Sequence, residues 1–262
     1  MDHSVLALPR SVLLALWLQE IGSGATPVQR AVAAVQGDDE PHTVQVGEGT
    51  DLGAAATLPD LVAAWAAGPR AAAAALPVPG DPGGAPAAVA GPAVLAGECV
   101  LVHGLHGTFA AVPRVEEFGS AYEPGHLVTW EVARVPDWRP ALVGQVGTLA
   151  EAERDLRTAL IQATEALASL DVARWRPDAA EAIAALRSDV DPGWGLPPTL
   201  EGRRVRVLAS AARLRAIVRL ATADDGGAVN LWQADQRSTA LREVDRAARR
   251  AMSSATHVPD AF

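Results

Sequence analysis

Hydrophobic positions recur along this chain with two different periods, and the change of period organises it. Helical spacing comes first. After Pro9, residues Val12, Leu13, Leu16 and Trp17 fall on one side of a helix running to about Ile21, and Gly22-Ser23-Gly24 ends it. Thr26 and Pro27 make an N-cap and first-turn pair for a second helix, with Val28, Val32 and Val35 inward. His42 to Val46 alternates as a short strand, and Thr57-Leu58-Pro59-Asp60 opens a helix carrying Leu61, Val62 and Trp65. Propensity and context conflict over Ala71 to Val78. An alanine run favours helix, but Gly68-Pro69 and Pro77-Val78-Pro79 pin it, and a proline pushes the residue before it toward extended geometry; we read strand.

Gly80 to Gly91 is rich in Pro, Gly and Ala and reads as a loop, or as a linker between subdomains. The period then shortens to two. Glu98 to His103 and Thr108 to Pro113 suit a hairpin across Gly104 and Gly107, and His126 to Val135 is the cleanest alternating strand of the chain. Short neighbouring strands of this kind pair mostly antiparallel. Pro136 to Pro140 closes the strand region, and a short linker leads into the helices beyond it.

Thr148 and Glu151 have capping-box spacing, and Leu149, Leu156, Leu160, Ala163, Leu167 and Leu170 form one stripe behind them. Arg176-Pro177-Asp178 opens a shorter helix, and Asp189 to Pro198 is a loop containing Trp194. Thr199 caps a helix from Leu200 to Ala223 that is apolar on two faces, as a helix central to a bundle is. Asp224-Asp225-Gly226-Gly227 breaks it, and the last helix turns Val229, Trp232, Ala240, Val244 and Ala247 inward. The expected fold is α+β. Residues 1–140 form a subdomain with a small, mostly antiparallel sheet plus helices, packed on a helical bundle of residues 141–262.

Composition narrows the chemistry. All 22 basic residues are arginine, so a Schiff-base lysine, a lysine-bearing phosphate loop and a Ser–Lys dyad are excluded. The net charge of −9 is uneven: residues 1–138 hold 5 Arg against 15 acidic residues, and residues 139–262 hold 17 against 16. With no basic excess to neutralise phosphates, no nucleic-acid partner is expected. The single Cys99 forbids an internal disulfide, and the apolar run Ser11 to Leu18 is too short to span a bilayer. We therefore expect a cytoplasmic protein with no membrane partner.

His103, His106 and Glu116, with Glu117, Tyr122, Glu123 and His126 near them, form the most chemical-looking cluster. An enzyme with its site between sheet and bundle would draw catalytic groups from His103, His106 and Glu116, with Arg213 as an anion clamp. Residues three apart on a strand or turn point to different sides, so no metal site and no cofactor are expected. The arginines of 203 to 219 flank both sides of an apolar stripe, as snorkelling side chains around a buried helix do. Gln233 and Gln236 fall on the inner arc of the last helix beside Asp224, and with Arg213 they are the candidate ligand-binding residues. No motif of known mechanism is present in the sequence. The leading expectation is a non-catalytic protein acting through a protein- or small-ligand-binding surface, with a homodimer among the arrangements the stripes allow.

Three stretches, Ala150-Glu151-Ala152-Glu153-Arg154, Leu170-Asp171-Val172-Ala173-Arg174-Trp175-Arg176-Pro177 and Ala223-Asp224-Asp225-Gly226-Gly227-Ala228-Val229, resemble uncharacterised proteins of high-GC Gram-positive bacteria. The resemblance covers most of the chain and implies no activity, cofactor or site residue.

Overall fold

A computed structural model describes residues 6–22, 27–47, 50, 52, 55–68, 70–120, 123–169, 194–222 and 231–258. The chain divides into two compact units. One comprises Leu8–Val146, Gly195–Leu200 and Thr256–Phe262; the other comprises Met1–Ala7, Gly147–Trp194 and Glu201–Ala255. The class is α+β, as the change of period implies.

The first unit is a sheet between helical layers. Its elements are α1 (Arg10–Gly22), α2 (Val28–Gln36), β1 (Thr43–Val46), α3 (Leu58–Ala66), β2 (Ala71–Ala75), a 3-10 turn (Ala87–Val89), α4 (Ala90–Ala96), β3 (Cys99–Gly104), β4 (Gly107–Ser120), β5 (Glu123–Arg134) and α5 (Arg139–Val146). The strand order is β1-β5-β4-β3-β2, parallel only between β1 and β5. One face presents Ala71, Ala73, Ala75, Cys99, Leu101, Ala110 and Val112 to a core with Val89, Ala93, Trp138, Leu142 and Val146. The alternate residues, among them Ala72, Ala74, Val100, Val102 and Phe109, point to the other face, where α1 packs on β2, β3 and β4.

That packing explains why five alanines form a strand. β2 is buried on both faces, and its outer edge is bonded by side chains: Gln19 donates to the Ala72 carbonyl and Ala74 N–H donates to the Thr256 hydroxyl at 2.9 Å. Small side chains let α1 come close, so tertiary fit overrides helix propensity. For α1 the burial goes beyond the expected single side, since every residue from Ser11 to Leu18 is buried. A helix apolar all round belongs inside a core. Its ends are tied by polar groups: Glu98 accepts the Ser11 N–H at 2.7 Å, and the Arg70 guanidinium donates to the Leu18 carbonyl and to those of Ala66 and Gly68 at the end of α3. Burial lowers the Arg70 pKa.

Several expectations need correction here. Pro27 stands at the N-cap of α2 and not inside its first turn. The Gly80–Gly91 stretch is no linker between subdomains; it lies within the sheet unit, and its end winds into the 3-10 turn and α4. α5 occupies part of what was read as linker, because the Asp137 carboxylate accepts the Arg139 N–H and starts a turn that buries Leu142 and Val146. Strand β4 continues seven residues past Pro113. Its charged outer half shows too little apolar alternation to reveal a strand, and its pairing with β5 supplies the order.

The second unit holds α6 (Leu149–Ser169), α7 (Gly202–Thr222) and most of α8 (Leu231–Thr256). The expected capping box opens α6: Thr148 N–H and hydroxyl both donate to Glu151 at 2.8 Å, and Glu151 N–H donates to the Thr148 hydroxyl at 3.2 Å. Its buried face, however, is Ala152, Leu156 and Ala159, and Leu160 is exposed, so the stripe is rotated from the expected one. α7 is apolar on two faces, burying Val207, Ala211 and Leu214 on one and Leu208 and Ala212 on the other. It begins at Gly202, and the Thr199 hydroxyl donates to Glu20 in the sheet unit. Asp245 and Arg249 of α8, four residues apart, pair at 2.7 Å and are joined by Arg215 of α7. The pair is largely withdrawn from solvent, since Arg249 is only 3% exposed. The helix expected from Arg176 and the break from Asp224 to Gly227 lie outside the described residues.

Candidate functional site: a proline-walled cleft over Trp138

A cleft of the sheet unit is built by the strap after β2 and the turn after β5. Val78 and Asp81 exchange backbone hydrogen bonds at 2.9 Å and fold the strap back, so that Pro82 to Ala88 run along the start of α5. Across from them stand Pro136, Asp137, Trp138, Ala141 and Gln145, enclosing about 430 Å³. Rings of Pro and methyl groups of Ala make the walls, which is the common composition of a small-molecule site.

Three polar groups border this cleft. The Asp137 carboxylate takes Arg139 Nε at 2.9 Å and Nη2 at 2.7 Å, beside the backbone bond that starts α5. The hydrogen bond from the Arg139 side chain is the main reason its pKa is lowered to about 2; burial opposes it, and the Arg139 backbone N–H and charge add to the lowering. Gln145 is exposed. Trp138 differs from both. It is 2% exposed, its ring meets the His257 ring edge-on at 6.4 Å, and its indole N–H has no hydrogen-bond partner among the described residues. An unpaired buried donor costs about 1–3 kcal/mol, and Trp138, which carries this one, is among the residues that line the cleft.

The strap holds its position by close approach. Gly84 has φ +87°, and a Cβ there would lie 2.7 Å from Leu142 Cδ1. Gly84→Ala would combine backbone strain with a clash against a fully buried leucine. We expect a loss of about 2 kcal/mol in urea denaturation of the full chain, with the cleft opened.

The residues singled out from sequence do not meet at this cleft. His103 on β3 is half-buried, with Nδ1 2.8 Å from the Thr108 hydroxyl, and His106 is exposed in the hairpin turn. Glu116 is exposed on β4 and paired with Arg114. It lies eight residues beyond Thr108, about 27 Å along the strand, so the three catalytic candidates do not share a pocket. Arg213 is half-buried on α7 of the other unit. Gln233 and Gln236 are on α8, with their side chains outside the described residues, as is Asp224 altogether. Cys99 is buried in β3, and burial foremost, with Glu98 beside it, pushes its thiol up to about 12, which leaves it inert packing.

Sequence reading also missed a polar cluster centred on Asp39. Arg10 donates to it through Nε at 2.6 Å and Nη2 at 2.9 Å, and His42 Nε2 and His126 Nδ1 lie 3.1 and 3.2 Å from its two oxygens. Trp130 Nε1 donates to His42 Nδ1 at 3.1 Å. An indole nitrogen only donates, so His42 carries its proton on Nε2 and gives it to Asp39. Burial alone would raise the Asp39 carboxyl, but hydrogen bonds from His42 and Arg10 and the Arg10 charge outweigh it and hold it well below the usual range. With all its acceptor sites engaged, Asp39 has no capacity left for a substrate proton. It clamps α1, the loop before β1 and β5 together. The signal was available only as three scattered residues, Arg10, Asp39 and His126, that no spacing rule connects.

Among the described residues, no three His, Cys, Asp or Glu side chains are placed to hold a metal ion, and no helix is long and apolar enough to cross a membrane. No curated protein and no solved structure matches the chain. Two family models do, the Rv1486c-like protein N-terminal domain over residues 11–146 and the Rv1486c-like protein C-terminal domain over residues 150–253. Neither description states an activity, and their limits follow the two units closely. The chain therefore belongs to the Rv1486c-like family, with both of its domains present in order.

Proposed function

We propose that this is a binding protein whose sheet unit holds a small, neutral, largely apolar molecule in the Trp138 cleft, with one oxygen acceptor of the ligand on the indole N–H. The buried, unpartnered N–H of Trp138 in a wall of Pro and Ala carries the reading. A single water would satisfy that donor but would find few further partners among proline rings and alanine methyls, so the cleft suits a ligand that is mostly carbon. Its one charged group at the cleft, Asp137, is neutralised by Arg139, which leaves no free cation to hold a phosphate or carboxylate.

A panel of matched ring compounds tests this by thermal shift and calorimetry on the full chain. Cyclohexanone and ε-caprolactam should bind saturably and raise the melting temperature, and cyclohexanecarboxylate should not. Trp138→Phe should weaken the ketone and lactam about ten-fold, the loss expected for one hydrogen bond, and leave the hydrocarbon analogue unchanged. Equal binding of ketone and lactam by wild type and Trp138→Phe would remove the reading.

A further inference from the structure

We infer that the outer half of β4 is a docking edge for β4 of a second copy of this chain, joined antiparallel about a two-fold axis at Val115. The last β3–β4 pair is Val100↔Ala111, whereas β4 runs on with β5 to Ser120↔Glu123. Arg114 to Ser120 are all exposed, and the ribbon carries uncovered Val115, Phe118 and Leu127 at 40%, 44% and 48% exposure. Exposed apolar side chains beside an unpaired strand edge mark a pairing surface. The other two sheet edges are already occupied: β2 is bonded by Gln19 and Thr256, and beside β1 the Val44 N–H donates to the Ala56 carbonyl.

Backbone phase and charge together select the partner and the register. The two-residue turn Leu105–His106 makes Gly104↔Gly107 a hydrogen-bonded pair, so odd-numbered residues of β4 aim their N–H and C=O groups at the β3 side. Consistently, Thr108 O faces the other way and accepts from Val135 N–H. Past Ala111 the outward groups belong to Pro113, Val115 and Glu117, and they face no strand among the described residues.

A two-fold axis can be centred on any residue from Pro113 to Phe118, and at Phe118 no charge finds an opposite charge, since Glu117 would face Gly119 and Glu116 would face Ser120. At Pro113 the central pair lacks both N–H donors. At Arg114, Glu116 or Glu117 it sets like charges opposite one another, which is unfavourable. At Val115 it gives a reciprocal pair of backbone hydrogen bonds, Val115 against Val115, and Arg114 of each copy opposite Glu116 of the other. Arg114 and Glu116 already pair within one chain, so the dimer would close a four-charge ring of alternating sign. Such an isologous joint uses up the edge and cannot grow into a fibre.

Sedimentation equilibrium on the full chain tests this with charge reversals at exposed positions, and because Arg114 also pairs with Glu131 on β5 at 3.2 Å, urea denaturation first confirms that each variant folds as wild type does. Wild type should dimerise. Arg114→Glu alone and Glu116→Arg alone should each raise the dissociation constant about ten-fold or more, because each sets like charges opposite one another twice per dimer. The double variant R114E/E116R should recover the wild-type constant, and an equimolar mixture of the two single variants should form a heterodimer as tight as wild type. A monomeric wild type overturns the inference and leaves the edge to a strand of some other protein. A dimer that both single reversals leave unchanged overturns it as well, by placing the joint elsewhere.

Discussion

Replacing Asp39 by alanine should cost the sheet unit about 3–5 kcal/mol, the range for breaking a buried ion pair at one partner. The variant leaves the Arg10 guanidinium without its two-point acceptor and the fully buried His42 without a partner for its Nε2 proton. The Trp130–His42 bond then hangs on a ring that nothing orients, so the damage reaches the centre of β5. Asp39→Asn keeps the shape but presents an amide N–H to donors on both sides, and it should lose nearly as much. Urea denaturation of the full chain, followed by tryptophan fluorescence, gives the comparison. Acid gives a second one. The folded state holds the Asp39 carboxyl below its ordinary range, so its contribution is complete above the unfolded value of about 4 and fades as pH drops below that. Wild type should therefore lose a component of stability below about pH 4 that Asp39→Asn no longer has to lose.

Trp138 should respond very differently to two substitutions. Trp138→Ala empties a fully packed position between the sheet, Leu142 and His257, and should cost about 3–5 kcal/mol. Trp138→Phe should stay within about 1 kcal/mol of wild type in the absence of ligand. Phenylalanine gives up some area, but it also removes a buried donor that had no partner, so the two changes oppose. Were the N–H bonded within the fold, phenylalanine would orphan an acceptor and cost more. Thermal or urea unfolding of the two variants separates these cases. A Trp138→Phe protein that folds as well as wild type is also the variant that makes the binding experiments interpretable.

The elements legible in sequence were those with local signals. The helix start at Thr57–Asp60, the capping box at Thr148–Glu151, the prolines around the alanine strand, and the period-two run of β5 each announced themselves within a few residues. What stayed hidden depends on contacts far apart in the chain. Nothing near Glu98 shows that it caps α1, 87 residues away, and the outer half of β4 is ordered by β5 despite a charged, unpatterned sequence. The cleft is the clearest example. Gly80 to Gly91 reads as a break in structure because Pro and Gly usually mark one, yet here they let a strap lie against Leu142 with no side chain between. Its one telling donor, the Trp138 indole, looks like any other core tryptophan until its partners can be counted.

The most direct test of the account is the indole N–H itself. In ¹H–¹⁵N spectra of the full chain, the Trp138 Nε1–H signal is identified as the indole peak that Trp138→Phe removes. Titration with cyclohexanone should move that peak downfield to a saturating limit, with cyclohexane at equal concentration leaving it nearly in place. A peak that does not move, or that moves alike with both compounds, would contradict the assignment of this cleft as the binding site.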